Sequence, residues 1–202
     1  MSAPAEVLLL DNDDVGRVLD LPACMSALEG AYIAAARGTA VERSRSQTRV
    51  PLDEPGVSYC FKSMEGALHG DGYLTLRVTS DAVFEGRVNG GVRREKLARG
   101  PGGTYCGLIL LFSTRDVAPV AIIHDGLIQL VRVACTGALS ARLLAREDAR
   151  DLGLLGSGGQ AWWHLAAIHA VRRLRRVRVY SPNAERREAF AARAAREMGI
   201  EV

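Results

Sequence analysis

Aromatic side chains are scarce: Phe, Trp and Tyr make up 5% of the 202 residues. The densest basic cluster, Arg172, Arg173, Arg175, Arg176 and Arg178, has no aromatic interleaved with it. It therefore lacks the stacking platform that single-stranded nucleic acid needs. It reads as the solvated end of a helix running into a strand, where cations complement the helix dipole. An excess of one charge is also missing, with 26 Lys and Arg against 23 Asp and Glu. A net charge of +3 gives no reason to expect a nucleic-acid partner. No apolar run reads as a bilayer span, so no membrane partner is expected. No basic region followed by an apolar core opens the chain, so the expectation is a cytoplasmic protein without a secretory signal. The four cysteines, Cys24, Cys60, Cys106 and Cys135, form no C-x-x-C pair. They read as reduced, mostly buried thiols. His69, His124, His164 and His169 share no ligand spacing, and no metal site is expected.

The periodic segments outline the organisation. Leu21 to Arg37 has Met25, Leu28, Tyr32 and Ile33 near one helical face, with Gly38 able to end the helix. Arg43 to Pro51 is polar and reads as a strand edge or loop. Val57 to Met64, Tyr73 to Thr79 and Gly107 to Ser113 read as strands. The last pairs with Val117 to Ile123 across a turn at Thr114–Arg115–Asp116. Glu85 to Thr104, rich in glycine and arginine, reads as a long irregular connection. Val131 to Arg146 reads as a long helix, with Val131, Ala134, Leu139, Leu143 and Leu144 available to bury. A strand at Leu152 to Leu155, a helix at Trp162 to Leu174, a strand at Val177 to Tyr180 and a helix at Ala184 to Met198 follow. Gly199 closes the last helix, and Ile200 to Val202 reads as the start of a third strand.

The segment Leu-Gly-Leu-Leu-Gly-Ser-Gly-Gly-Gln-Ala, residues 152–161, carries the chemistry. Gly156, Gly158 and Ala161 have the G-x-G-x-x-A spacing, and strand, turn, helix and second strand follow in βαβ order. Gly156 permits a tight turn, Gly158 lets the backbone approach a pyrophosphate, and Ala161 permits close packing of helix on strand. Phosphates would sit on the N–H groups of the helix start. The end of the second strand, Tyr180-Ser181-Pro182-Asn183, has no acidic residue at its tip, and Arg186 and Arg187 follow. A carboxylate there would repel a 2′-phosphate, so NAD(P) is expected as cofactor with NADP(H) mildly favoured.

Four segments together resemble the ornithine cyclodeaminase / mu-crystallin family: Gly107 to Ser113, Pro119 to Gly126 with its Asp125-Gly126 step, Arg132 with the small-residue helix Ala134 to Ala141, and Leu152 to Ala161. The resemblance implies a dimeric NAD(P)-dependent enzyme. Members act on small amino acids or cyclic imino acids by hydride transfer at the α-carbon. It implies that Arg45, Arg77 and Arg132 face the substrate carboxylate, with Arg43 and Arg49 as rivals of Arg45. Arg77 stands where the family normally has a lysine on a strand. A guanidinium grips a carboxylate with two parallel hydrogen bonds but does not serve as a proton donor as a perturbed lysine does. That departs from the ornithine reaction itself. Gly137 stands where the family usually has a serine, flanked by Thr136 and Ser140, so no catalytic hydroxyl is assigned. The acidic catalytic residue of the family is expected beyond Val202.

An arginine inside an apolar strand such as Leu74 to Val78 needs a partner. Lys62 is either another carboxylate partner or the water-facing residue of an alternating strand. Asp125 either orients its turn or reaches the active site, and His124 beside it is the histidine closest to that step. The cofactor set is Gly156, Ser157, Gly158, Gly159, Gln160 and Ala161, with Ser181, Asn183 and Arg186.

The expected fold class is α/β: an α+β substrate and dimerisation domain (1–130), then a connecting helix and an incomplete Rossmann-type dinucleotide-binding domain (131–202). The expected function is an NAD(P)-dependent oxidoreductase-family protein, C-terminally shortened and inactive as 202 residues alone. The alternative is a non-catalytic dimerising or ligand-binding protein that retains the fold core.

Overall fold

The structure, a computed structural model, describes residues 6–88, 90–100, 103 and 106–202. The chain divides into two compact units. One comprises the residues up to Val18 with Ala31–Leu127; the other comprises Leu19–Gly30 with Ile128–Val202. Segment 19–30 falls in the second unit rather than in the expected 1–130 domain.

The first unit is built on an eight-stranded mixed sheet. Its strands are β1 (Leu8–Leu10), β2 (Ala40–Glu42), β3 (Ser46–Pro51), β4 (Val57–Leu68), β5 (Tyr73–Val88), β6 (Gly91–Leu97), β7 (Cys106–Ser113) and β8 (Ala118–His124). The main order is β1-β8-β7-β5-β4-β2, with β3 on β4 and β6 on β5. All pairings are antiparallel except β1 with β8. Antiparallel strands need only short connections, which is why turns at Gly70, Gly72 and Gly90, all with positive φ, suffice here. The hairpin of β7 and β8 forms across the predicted turn.

Three expectations need correction here. Glu85 to Thr104 is not an irregular connection: β5 continues to Val88 and pairs with β6, Ala82 opposite Leu97 and Val88 opposite Gly91. Glycines and arginines hide a strand from a hydrophobicity reading when its residues face water, and most of β6 is exposed. Residue 104, at the end of that stretch, lies outside the described residues. The second correction is at the front, where β1 and α1 (Asn12–Val18) went unnoticed. β1 is too short to show a period, and α1 is held by its cap. Asp11 Oδ1 accepts from Asp13 N and Asp14 N at 2.8 Å, while Asp14 Oδ2 accepts from Asp11 N at 3.0 Å. The third concerns helix α2 (Leu21–Ala36), whose Cys24 and Met25 are buried while Tyr32 and Ile33 are exposed.

The second unit holds helices and a small parallel sheet. Helix α3 (Asp125–Leu144) begins six residues before the predicted Val131 start. Among the described residues it is the one single helix long and apolar enough by length and composition to cross a bilayer, against the expectation that no run is long enough. Its Val131, Ala134, Cys135, Ala138 and Leu139 are buried. Leu143 and Leu144 are exposed, contrary to the expected burial. The chain on either side of them is tied by Arg172, whose Nη2 donates to the carbonyls of Arg142 and Ala145 at 2.8 and 3.1 Å. This closes the helix from its carbonyl end.

Strands β9 (Asp151–Leu155) and β10 (Arg176–Tyr180) run parallel, in register from Asp151–Arg176 to Leu155–Tyr180. Helix α4 (Gly159–Val171) connects them, and helix α5 (Ala184–Met198) follows. Glu201 bridges Arg176 in parallel. The third strand therefore starts on the far side of β10, giving the order 3-2-1 of one half of a doubly wound sheet. Leu165, Leu174, Val177, Phe190, Ala194 and Ile200 form its core. Asn183 caps α5 by accepting from Arg186 N at 2.8 Å, and Gly199 ends it at φ 65°.

Candidate functional site

Two sets of residues in the described structure can carry chemistry, one in each unit. In the first unit the set lies on the sheet. Arg77 sits mid-strand on β5, between Met64 of β4 and Ile109 of β7. Its Nε donates to Asp125 Oδ2 at 2.5 Å, and its Nη1 lies 3.5 Å from Met64 Sδ. The Asp125 side chain is 1% exposed. Asp125 holds the arginine that the apolar strand buries. A carboxylate on the Nε edge also sets the plane of the guanidinium.

The turn that delivers Asp125 is built from the first strand and helix. Leu127 N donates to Asn12 Oδ1 at 2.9 Å and Gly126 N donates to His124 Nδ1 at 3.1 Å. A Cβ at Gly126 would stand 2.9 Å from the Asn12 amide, so a side chain there would displace the group that accepts from Leu127 N. His124 is thus occupied with its own turn.

Lys62 is not a water-facing lysine. Its side chain is 12% exposed and its Nζ donates to Asp81 Oδ2 at 2.6 Å. Lys96 of β6 reaches the same oxygen at 3.0 Å. Burial works to raise the Asp81 carboxyl, and the two ammonium groups outweigh it and hold it below the usual carboxylate range. Farther along, Arg49 forks onto Glu85 at 2.6 and 2.9 Å, and Arg94 adds a third contact at 3.0 Å. Asp81 and Lys96 escaped the sequence reading. The usable signal was an acid inside the apolar run of β5; Lys96 was hidden in the stretch read as irregular.

Arg45 lies in the link between β2 and β3 and is exposed. It adjoins Ser46, whose hydroxyl meets that of Ser63 at 2.7 Å, next to Met64, the partner of Arg77. Its rival Arg49 is engaged with Glu85, and Arg43 lies 3.6 Å from Glu65.

In the second unit the glycine loop has the geometry its spacing asks for. Gly156 has φ 113°, a conformation that L side chains rarely adopt. Its N–H donates to Tyr180 O at 2.8 Å and locks the turn to the end of β10. Gly158 is the N-cap of α4 at φ −88°, ψ −177°, with no side chain capping the helix. That backbone suits any residue, and a Cβ on Gly158 or Gly159 would meet no atom of the chain within 4 Å. Neither conformation nor internal packing calls for glycine there. Space in front of an uncapped helix start fits a pyrophosphate, whose oxygens would take the first N–H groups.

Gln160 turns its side chain inward: Nε2 donates to Leu130 O at 3.0 Å, and His164 Nδ1 lies 2.9 Å from Gln160 O. A Cβ on Gly137 would stand 3.2 Å from His164 Cδ2. Histidine thus crowds the position where a serine was sought. Thr136 and Ser140 hydroxyls donate to helix carbonyls four residues back. Ser181 is buried, and its carbonyl accepts from Arg187 Nη1 at 2.7 Å. Asn183 spends its side chain on the α5 cap, while Arg186 is exposed. Arg132, half-buried on α3, makes no ion pair among the described residues. His169 accepts from Leu174 N at 3.2 Å, and His69 is exposed.

The model of the ornithine cyclodeaminase/mu-crystallin family matches residues 6–202. The chain belongs to this family. An ornithine cyclodeaminase of Agrobacterium fabrum is 30% identical over 117 residues, 57% of this chain and 32% of that protein. The Δ1-pyrroline-2-carboxylate reductase of Thermococcus litoralis, solved with NADH and L-proline, superposes with a TM-score of 0.78 at 22% identity. It covers 96% of this chain and 55% of its own. An archaeal alanine dehydrogenase dimer with bound NAD gives a TM-score of 0.77 at 21% identity, over 96% and 54% of the two chains. The last two share the fold. The chain spans about half the length of these solved relatives.

Proposed function

We propose that this chain is part of an NAD(P)-dependent oxidoreductase that acts on a small amino acid or cyclic imino acid at its α-carbon. The observation that carries the reading is Gly158: a helix start without a cap, and a glycine that nothing inside the chain requires. The relatives' NADH, NAD and L-proline point the same way. When bound, the dinucleotide supplies or accepts the hydride.

The residues of this chain bind and orient. Gly156 to Ala161 cradle the pyrophosphate through backbone N–H groups. Gln160 contributes its backbone alone, since its amide is committed to Leu130. Arg77, with its plane set by Asp125, grips the substrate carboxylate, and Arg45 approaches from the neighbouring link. Arg132 on α3 carries the same assignment. Ser181, Asn183 and Arg186 line the ribose end. Without a carboxylate at the tip of β10, NADP(H) binds at least as well as NAD(H). The protein assembles as a homodimer, which light scattering on the eluted protein tests.

Fluorescence titration with NADPH and NADH tests the cofactor reading. Wild type binds NADPH at least as tightly, and Ser181→Asp shifts preference toward NADH. A strong wild-type preference for NADH overturns the assignment of the β10 tip. Arg77→Met weakens carboxylate binding; unchanged affinity removes Arg77 from the site.

A further inference from the structure

Two cation–carboxylate sets stand side by side on one face of the β4–β5 ladder. Met64 pairs with Arg77, Lys62 with Thr79 and Cys60 with Asp81, and the register runs unbroken from Val57 to Ala67. Residues two apart on a strand share a face, so Arg77, Lys62 and Asp81 share this one. Lys62 is the diagonal neighbour of Arg77, at a backbone spacing of about 7–8 Å. Lys96 lies opposite Val83, two residues past Asp81, and joins the same face.

Charge on this face is unbalanced. Asp81 takes both ammonium groups on Oδ2, at 2.6 and 3.0 Å, which leaves that cluster with one net positive charge. The next set along the strand repeats the pattern, with Arg49 and Arg94 sharing Glu85. An ammonium has three N–H donors. Lys62 commits one to Asp81 and keeps contact with solvent. Asp81 therefore holds the ammonium in place without neutralising the pair of lysines.

We propose that the Lys62–Asp81–Lys96 cluster is a second anion subsite beside Arg77, and that the substrate is an amino or imino acid bearing a second carboxylate. The inference rests on Arg77 holding the first carboxylate. Two cationic points a diagonal apart match two carboxylates on a short carbon chain. A monocarboxylate leaves the second point unmatched.

Calorimetric titration of the full chain with succinate and with butyrate, which differ by one carboxylate, tests this. Wild type should bind succinate at least about tenfold tighter, the scale of one charge-assisted hydrogen bond. Lys62→Met should abolish that ratio, and Lys62→Arg should keep most of it. A wild-type ratio near one, or a ratio that survives Lys62→Met, overturns the subsite. Circular dichroism checks folding; should Lys62→Met not fold, Lys96→Met is read with the same expectations. If butyrate binds through Arg77 and succinate gains nothing, the subsite alone falls. If neither acid binds, both the subsite and the Arg77 assignment fall, while a separate NADPH titration decides the cofactor reading.

Discussion

The glycine loop and the charged sheet face are built in opposite ways. The loop is made of backbone, from six consecutive residues, and its chemistry lies in N–H groups that every residue but proline has. What matters is where side chains are missing. The sheet face is made of side chains from β4, β5, β6 and the start of α3, brought together over separations of 19 and 48 residues. What matters there is which residues the register sets side by side. A backbone site tolerates most changes except added bulk. A side-chain site fails when one partner is removed.

That contrast can be broken most sharply at Asp125. Asp125→Ala leaves Arg77 half-buried without its carboxylate, which should destabilise the fold by about 3 kcal/mol. Urea unfolding followed by circular dichroism measures it. A loss under about 1 kcal/mol would show that the sheet face is as tolerant as a surface pair.

Gly158→Val is the matching test on the loop. A Cβ there meets no atom of the chain within 4 Å, so the stability cost stays at or below about 1 kcal/mol, the scale of losing a favoured N-cap residue. NADPH affinity should fall by about tenfold or more. Gly156→Ala behaves differently, because φ 113° strains any side chain; it should cost stability by about 1 kcal/mol or more. Equal behaviour of the two glycines would erase the distinction between a glycine needed for conformation and one needed for a ligand.

Acid separates the regions further. Asp81 is held below the usual carboxylate range in the folded chain, despite burial, by Lys62 and Lys96. A depressed folded value means the contribution is fully present above the unfolded value of about 3.9. It is lost as pH falls through the folded value. Asp81→Asn should therefore flatten the acid limb of a thermal-stability profile below about pH 4. An unchanged acid limb would exclude the Asp81 cluster as its source.

The smallest expected effect is on the thiols. Burial, with Cys24 beside it, pushes the Cys135 thiol up to about 12, and burial raises Cys24 as well. Cys60 is fully buried and Cys106 partly exposed. At pH 8 Cys106 should react first with a disulfide reagent, and the other three only on unfolding. Fast modification of Cys24 or Cys135 would show the second unit to be looser than its packing.

Elements with a local cause were legible. Helix α5 matches its predicted bounds because Asn183 and Gly199 cap it within its own sequence. The hairpin of β7 and β8 follows from its turn, where Ser113 Oγ accepts from Asp116 N at 3.1 Å. Strand β6 was not legible, since its arginines and glycines show no apolar alternation and only β5 gives it a place. The burial of Leu143 and Leu144 failed for the same reason: helical periodicity tells which residues share a face, not where the neighbour ends.

By itself the sequence determined the glycine turn, the parallel pair of strands around it and the presence of the helix between them, though not its bounds, which are Gly159–Val171 rather than the expected Trp162 to Leu174. Each depends on residues within a few positions, through φ, caps and hydrogen bonds of short reach. The tertiary structure alone decided that Arg77 meets Asp125, that Lys62 and Lys96 meet Asp81, and that Gln160 faces Leu130 rather than a phosphate. Antiparallel register and helix packing choose those partners, and a one-residue shift would send each side chain to the opposite face.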